Sequence, residues 1–226
     1  MAKSMPRITS PLRQHLVTIP NCIREASGIL INGKRIKSLL FSTDVALIPN
    51  SDADAVIAVY PFTPTLQITN AILSVAQRPV LVGVGGGTTS GPRVKEIALD
   101  AELHGALAVV VNAPTKTEFV QELQEHVDIP VVLTIVSLDE DLEERMLHSG
   151  ADIINVSGGK NTVEIVKALR KFDANFPIIA TGGPSEDTIR QVIQAGANAV
   201  TYTPPTSAEI FKEMMDRYRT NVKKEG

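Results

Sequence analysis

The phrases Gly150-Ala-Asp-Ile-Ile154 and Pro177-Ile-Ile-Ala-Thr181 decide the fold of this chain. Each opens a short apolar run, and a segment of helical length separates the two. The same openings alternate elsewhere, with Gly-Ala at 105 and 196 and Pro at 79 and 130, so one run recurs about every 23 to 25 residues. That length holds one strand, one helix and two short loops. Strands that are apolar on both faces and joined by helices indicate a parallel sheet.

Two further apolar runs precede these six, and the total of eight favours closure into a (β/α)8 TIM barrel over an open doubly wound sheet. We predict strands at 37–43, 55–60, 79–84, 107–112, 130–136, 152–156, 177–181 and 199–202. Helices are predicted at 64–77, 92–103, 115–127, 138–149, 162–172, 186–195 and 207–222, whereas 44–54 has room for only a turn or two.

The segment before the repeat is amphipathic from Pro11 to Ser27 and predicts one or two helices that end at Gly28. No linker or change of composition divides the chain. We therefore expect a single TIM-barrel domain over 1–226, with a helical extension at 1–35 and the barrel at 36–222.

Composition excludes several classes of protein. The 226 residues are 43% hydrophobic, which suffices for one well-filled core. A net charge of −3 argues against nucleic acid as the main partner, because binding to phosphate backbones needs clustered basic residues. No apolar run approaches the ~18 residues of a membrane span or resembles a signal peptide. Because Cys22 is also the sole cysteine, we expect a cytoplasmic protein without a membrane partner.

The loops that follow the predicted strands predict a phosphate site. In a TIM barrel the chemistry lies on these loops, and glycines there let backbone N–H groups approach an anion. Lys160 adds a cation beside one glycine pair. The alternative is that the glycines form only tight turns and that Lys160 is a solvated loop residue. The predicted phosphate-binding residues are Ser157, Gly158, Gly159, Thr181, Gly182, Gly183, Thr206 and Ser207.

Three of these stretches resemble the ribulose-phosphate-binding-barrel superfamily of TIM barrels, which includes thiamine-phosphate synthase and 2-keto-3-deoxy-6-phosphogluconate aldolase. They are 152–159, 177–183 and 193–200, so the resemblance is best in roughly the last hundred residues. It implies a phosphate clamp after strands seven and eight, and a homo-oligomer. The chain departs from that pattern at Pro204-Pro205, where many members carry a glycine whose backbone binds phosphate.

Asp44, which follows predicted strand one, is the predicted general base, because desolvation at a barrel mouth can raise the pKa of a carboxyl. The alternative is that Asp44 caps the turn that follows it. Lys160 is the predicted ionisable partner, and Asn155 and Thr181 would orient the substrate. Other side chains expected at the mouth are those of Tyr60, Thr63, Thr88, Arg93, Asn112, Thr134 and Ser137.

The Gly85-Gly86-Gly87 run indicates either a close approach to the backbone or a mobile loop. Cofactors are expected to be absent. The four histidines fall on or near predicted helices, so a tightly bound transition metal is not expected, whereas a Mg²⁺ that bridges the substrate is left open.

The function that we predict from these residues is that of an enzyme acting on a small phosphorylated metabolite by lyase or isomerase chemistry. One alternative is a regulatory barrel that binds a phosphorylated ligand without turning it over, similar to the glycerol-operon antiterminator proteins. A barrel that binds flavin mononucleotide is the third possibility, although the glycine expected after strand eight is missing.

Overall fold

Eight parallel strands close into a barrel in the computed structural model of the chain, which describes residues 6, 8, 17–87 and 89–225. In chain order the strands are β1 (Ile29–Ile31), β2 (Lys34–Ile36), β3 (Ser38–Phe41), β4 (Ala55–Ala58), β5 (Val80–Gly85), β6 (Ala108–Val111), β7 (Val131–Ile135), β8 (Ile153–Val156), β9 (Ile178–Thr181) and β10 (Ala199–Tyr202). The barrel runs from β3 to β10 in sequence order, and β10 pairs with β3 to close it. The predicted TIM barrel is therefore confirmed.

Helices cover the outside of the barrel. They are α1 (Leu66–Val75), α2 (Pro92–Leu103), α3 (Thr117–Gln124), α4 (Thr162–Phe172), α5 (Glu186–Gln194) and α6 (Ser207–Glu225). The crossover from β3 to β4 holds only a 3-10 turn at Ile48–Asn50, and the crossover from β7 to β8 contains a short π-helix at Glu144–His148. Among the described residues no helix is long and apolar enough to cross a membrane.

The barrel interior changes character from one end to the other. Side chains alternate across each strand, and the inward ones at the end where the strands begin are apolar, among them Leu39, Leu81 and Val132. On five of the eight strands, the inward position two residues further along is polar or has no side chain. These positions are Gly83, Thr134, Asn155, Thr181 and Thr201, whereas β3, β4 and β6 keep apolar residues on the inside, such as Phe41 and Val110.

An antiparallel hairpin, formed by β1 and β2, replaces part of the predicted helical extension at 1–35. Its turn is Asn32-Gly33, and both residues have positive φ, at 46° and 78°. That is the conformation of a type I′ hairpin turn, which overrides a helix at this point. Ile29, Ile31 and Ile36 are buried against the apolar barrel interior, so the hairpin closes the end of the barrel opposite the mouth. Between 17 and 27, where one or two helices were predicted, only Asn21–Glu25 is helical, as a 3-10 helix, and residues 11–16 of that prediction lie outside the described residues.

Candidate active site

A cleft lies at the mouth of the barrel, and it has two lobes that share Val59, Tyr60, Pro61 and Asn112. We call it the mouth cleft. The first lobe, of about 220 Å³, extends below the loop after β5 and reaches Gly83 inside the barrel. The second lobe, of about 530 Å³, extends over the ends of β3 and β10 and is lined by Asp44 and by residues 203–206. Together the lobes have the size of a small-metabolite site.

Buried hydroxyl and amide groups form the polar end of the barrel interior. The Asn155 Nδ2 donates to Thr134 Oγ1 at 3.2 Å, and the two residues are direct neighbours on β8 and β7. Thr201 pairs in register with Thr181 on β9, yet its hydroxyl has no hydrogen-bond partner although the residue is only 5% exposed. A buried hydroxyl without a partner destabilises the fold, so a missing partner is expected at this point. We call Thr134, Asn155, Thr181 and Thr201 the polar floor.

Asp44 lies at the edge of the second lobe with its carboxylate already hydrogen bonded. Its Oδ1 accepts the backbone N–H groups of Ala46 at 2.8 Å and Leu47 at 3.2 Å, and its Oδ2 accepts the hydroxyl of Ser207. The Ser207 hydroxyl is the main cause that lowers the pKa of Asp44; the two amides add to it, and partial burial opposes it. The raised pKa expected from the sequence is therefore wrong, and Asp44 is ionised at neutral pH. Its role as a base stays a prediction.

The loop after β10 offers little to an anion. The hydroxyl and the backbone N–H of Thr206 both donate to Glu209 Oε2 at 2.8 Å, and the hydroxyl of Ser207 donates to Asp44. The bonds from Thr206 also lower the pKa of Glu209, which keeps that carboxylate ionised. The carboxylates of Asp44 and Glu209 thus accept hydrogen bonds from the groups at the start of α6 that were predicted to bind phosphate. A phosphate there would have to displace both carboxylates.

The loops after β8 and β9 are more open. Ser157 and Thr181 lie side by side, with their hydroxyl oxygens 3.4 Å apart. Gly159 has φ of +58° and open space beside it, and the neighbouring Lys160 is exposed. No hydrogen bond or ion pair joins the Lys160 ammonium to another described residue. These four residues could therefore approach an anion at the rim of the barrel.

Two glycines of the predicted phosphate loops have a packing role. A Cβ at Gly182 would lie 2.7 Å from Val200 Cγ1 and 2.8 Å from Ile189 Cγ1, and one at Gly158 would collide with Ile165 Cδ1. Gly183 has φ of +74°, which favours glycine for conformational reasons. Tight turns between strand and helix thus account for these three glycines without a ligand.

The start of α5 is also occupied. The Ser185 hydroxyl accepts the backbone N–H of Thr188, and the Thr188 hydroxyl accepts the backbone N–H of Ser185, which forms a capping box. Glu186 and Asp187 add negative charge to the first turn. The dipole of this helix is therefore satisfied by its own residues.

The structure separates the predicted catalytic residues around the barrel. Asp44 follows β3 and Lys160 follows β8, and β9 and β10 lie between these strands. Asn155 is an inward residue of β8 and belongs to the polar floor. Tyr60 and Asn112 do line the mouth cleft, whereas Arg93 lines a groove on the outside of α1 and α2. Thr88 lies outside the described residues.

The glycine run after β5 packs tightly against the loop after β6. Asn112 donates its backbone N–H to Gly85 O at 2.9 Å, and Gly86 donates to Thr89 O at 2.9 Å. A Cβ on Gly86 would collide with the backbone of Asn112 and with Thr115 Oγ1. Gly87, by contrast, has open space and borders the first lobe. A close backbone approach is therefore the role of Gly86.

Thr201 was missed as a site residue in the sequence. Alternation along its strand could have found it, because Ala199 and Thr201 share one face and Thr181 occupies the same place on β9. The sequence does not show that the Thr201 hydroxyl lacks a hydrogen-bond partner, because this depends on every side chain that surrounds the hydroxyl.

The described residues provide no ready-made metal centre. No three side chains of His, Cys, Asp or Glu come together among them in a way that could hold an ion. Asp44 is the one carboxylate that lines the mouth cleft, and three hydrogen bonds already use its oxygens. The described residues therefore form no Mg²⁺ site by themselves, and a Mg²⁺ that bridges the substrate to Asp44 stays a prediction.

Comparison with known proteins shows the fold. No family model matches the sequence, and no curated protein is significantly similar to it. The structure of 2,3-dimethylmalate lyase, a member of the PEP mutase/isocitrate lyase superfamily, is 14% identical and superposes with a TM-score of 0.61 over 91% of this chain and 83% of that one. Phosphonopyruvate hydrolase in complex with oxalate and Mg²⁺ is 16% identical, with a TM-score of 0.59 over 85% of each chain.

A third similar structure is the 4-hydroxy-tetrahydrodipicolinate synthase of Methylacidiphilum fumariolicum SolV, 12% identical, with a TM-score of 0.58 over 74% of this chain and 67% of that one. These neighbours are TIM barrels of other families than the ribulose-phosphate-binding barrels. The resemblance found in the sequence is therefore supported at the level of the TIM barrel, and its finer family assignment is not. Identities this low establish the shared fold alone.

Proposed function

We propose that the chain is an enzyme that binds a small polar metabolite in the mouth cleft and acts on it by lyase or isomerase chemistry. The observation that carries the proposal is the buried, unpartnered hydroxyl of Thr201 in the polar floor. The opposite end of the same barrel is filled with apolar side chains, so polar groups are not needed for packing. A carbonyl or hydroxyl group of a ligand would supply the partner that Thr201 lacks.

The fold neighbours include enzymes. The three structures named above are a lyase, a hydrolase and a synthase, and one of them contains oxalate and Mg²⁺. In this chain Asp44 would accept a proton from the substrate, because its carboxylate is ionised at neutral pH. Asn155 and Thr201 would orient the substrate from below. No step depends on a metal, since the residues of the mouth cleft do not form a metal site.

An anionic group of the substrate, such as a phosphate, would lie at the rim formed by Ser157, Thr181 and Lys160. Support comes from the exposed ammonium of Lys160 and from the two neighbouring hydroxyls. The start of α6 is not included, because Asp44 and Glu209 occupy its donors. A phosphate at the rim would place the rest of a small substrate above the polar floor.

A regulatory barrel that binds a ligand without turnover is the second candidate. One observation favours it: among the described residues that line the mouth cleft, Asp44 is the sole charged one. Acid–base chemistry that needs two ionisable groups would then have to recruit Tyr60 or a group of the substrate.

Thermal shift measurements test binding. The probes are inorganic phosphate, flavin mononucleotide, and a panel of small 2-oxo acids, 2-hydroxy acids and sugar phosphates, with NMR to follow turnover of any compound that binds. Thr201→Val should abolish the shift of that compound. Thr69→Val is the matched control, because the Thr69 hydroxyl is also buried and unpartnered but belongs to the outer helix α1 and not to the polar floor. Equal binding by both variants would overturn the proposed site.

The remaining roles need separate variants. Lys160→Met should weaken binding of phosphate, and Lys171→Met, an exposed lysine further along α4, should not. Asp44→Asn should abolish turnover while binding is retained. If the unaltered protein binds probes but turns none of them over, the regulatory barrel would replace the enzyme as the proposed function.

A further inference from the structure

The inward residues of the barrel differ between its two halves. On the neighbouring strands β7 to β10, the positions two residues beyond the apolar end are those of the polar floor. On the neighbouring strands β3 to β6, none of the corresponding positions has a polar side chain. They are Phe41, Val59 directly after β4, Gly83 and Val110. We call these four residues the apolar half of the mouth.

The second lobe of the mouth cleft lies over the apolar half. Phe41 lines it at the end of β3 and is 39% exposed, and Leu47 and Val59 also line it. Among the described residues that line this lobe, Asp44 is the one charged residue, and its carboxylate already accepts the hydroxyl of Ser207. An exposed aromatic ring in a cavity of about 530 Å³ provides a surface that an apolar part of a ligand would cover.

Two prolines also line the second lobe. Pro204 and Pro205 follow β10, which pairs with β3. A proline has no N–H to donate to an anion, and its ring presents carbon atoms to a neighbour. The chain therefore has hydrocarbon where the resemblance found in the sequence implies a glycine that binds phosphate. This departure fits a lobe that takes an apolar group rather than an anion.

The rim that could approach an anion lies on the other side of β10. Ser157 and Thr181 place their hydroxyls there, and Lys160 adds an exposed ammonium. Because β9 pairs with β10 and β10 pairs with β3, Thr201 lies on the strand between Thr181 and Phe41. Within the described part of the chain no lysine or arginine lines the second lobe. From β9 to β3 the mouth thus changes from cationic, through a hydroxyl without a partner, to apolar.

We propose that the substrate is an organic anion that carries an aromatic ring. Its anionic group lies at the rim beside Lys160, a polar group bonds Thr201, and the ring lies in the second lobe against Phe41 and the two prolines. The proposal rests on the proposed function, because it names the class of compound that the same cleft binds.

The walls of the lobe favour a ring over a branched alkyl group. Phe41, Tyr60 and Pro204 are ring side chains, and all of them line the second lobe. Aromatic rings pack on one another in stacked or edge-to-face arrangements, and these contacts add to the stabilisation that burial alone provides. A ring that is covered in this way also removes the exposed surface of Phe41 from water.

Titration calorimetry on the full chain tests the proposal with matched pairs of probes. Phenylpyruvate is compared with pyruvate, and phenyl phosphate with inorganic phosphate. In the pair whose anionic group the protein accepts, the ring should lower the Kd at least about tenfold, because an aromatic group becomes buried. The branched compound 4-methyl-2-oxopentanoate should bind less tightly than phenylpyruvate. Equal or weaker binding of the ring-bearing probes, or no binding of either, would overturn the proposal.

A variant of the apolar half locates the ring. Phe41→Ser should reduce the advantage of the ring by about two- to tenfold, since it removes one aromatic contact. Phe172→Ser is the matched control, because Phe172 on α4 is 41% exposed, close to the 39% of Phe41, and does not line the cleft. Lys160→Met should weaken both members of a pair by the same factor. An unchanged advantage of the ring in Phe41→Ser would overturn the placement.

Thr201→Val distinguishes this proposal from the proposed function. If pyruvate or phosphate binds and Thr201→Val abolishes that binding, but the ring gives no advantage, the proposed site stands and the aromatic substrate is rejected. If the ring gives its advantage in the unaltered chain and in Thr201→Val, but loses it in Phe41→Ser, the apolar half is confirmed and the role of Thr201 is rejected.

Discussion

Asp44 combines two roles at the residue scale. Its carboxylate caps the turn that leads to Ala46 and Leu47, and it also fixes the start of α6 through Ser207. The same side chain lines the mouth cleft. The hydrogen bonds to its ionised carboxylate stabilise the fold around Asp44, and they also make the carboxylate a weaker base. A substrate that displaces Ser207 from the carboxylate would raise the pKa of Asp44 and make it a better base.

Asp44→Asn should lower the free energy of unfolding by about 1 kcal/mol at neutral pH, because it removes a charge-assisted hydrogen bond. The pKa of the native carboxyl lies below its ordinary value of 3.8, so the contribution is present above that pH and is lost as the pH falls through the native pKa. Urea unfolding of both proteins at several pH values measures the difference. Asp128→Asn, at an exposed site, should show no comparable loss. A difference that persists undiminished in acid would contradict this account.

The same substitution should have a large effect at one of two neighbouring glycines and a small effect at the other. Gly86→Ala should destabilise the protein by about 2 kcal/mol or more, because its φ is +112° and the new Cβ would meet the backbone of Asn112. Gly87→Ala should change the free energy of unfolding by less than about 0.5 kcal/mol, since nothing lies near its Cβ position. Chemical denaturation compares the two. Equal effects would show that the loop adjusts freely.

At the scale of elements, the hairpin of β1 and β2 acts as a plug for one end of the barrel. It leaves the eight-stranded sheet closed and covers the apolar interior with Ile29, Ile31 and Ile36. The opposite end then remains open for the mouth cleft. Division of the barrel into a closed end for stability and an open end for chemistry is a general property of TIM barrels.

The hairpin offers a matched pair of substitutions on adjacent residues. Ile31→Ala should lower the free energy of unfolding by about 2 to 3 kcal/mol, because Ile31 is buried in the interior cluster. Leu30→Ala should change it by no more than about 0.5 kcal/mol, since Leu30 is 71% exposed. Thermal or urea unfolding distinguishes the two, and a larger loss in Leu30→Ala would contradict the observed register.

At the scale of the whole molecule, the outer layer of helices is incomplete. The first crossover lacks an α-helix, and the last helix lacks a buried face. These two features lie next to each other around the barrel because β10 pairs with β3.

The sequence by itself determined the barrel. Alternating Pro and Gly-Ala openings located six of the eight strands and apolar runs located the first two, because buried parallel strands need apolar runs and each crossover needs a minimum length. The bounds of α2 and α4 also agree with the prediction. The hairpin was missed although Asn32-Gly33 signals it, since the helical interpretation of the segment before it was extended too far.

Only the tertiary structure decided what the loop residues contact. Gly158 and Gly182 have the sequence of an anion loop, yet their close packing against Ile165 and Ile189 explains them. Ser207 begins a helix as predicted, but the carboxylate of Asp44, 163 residues away in the chain, accepts its hydroxyl. Sequence patterns record which residue types are present near a strand end. Which donors stay free for a ligand depends on contacts between distant segments, and these exist only once the barrel has closed.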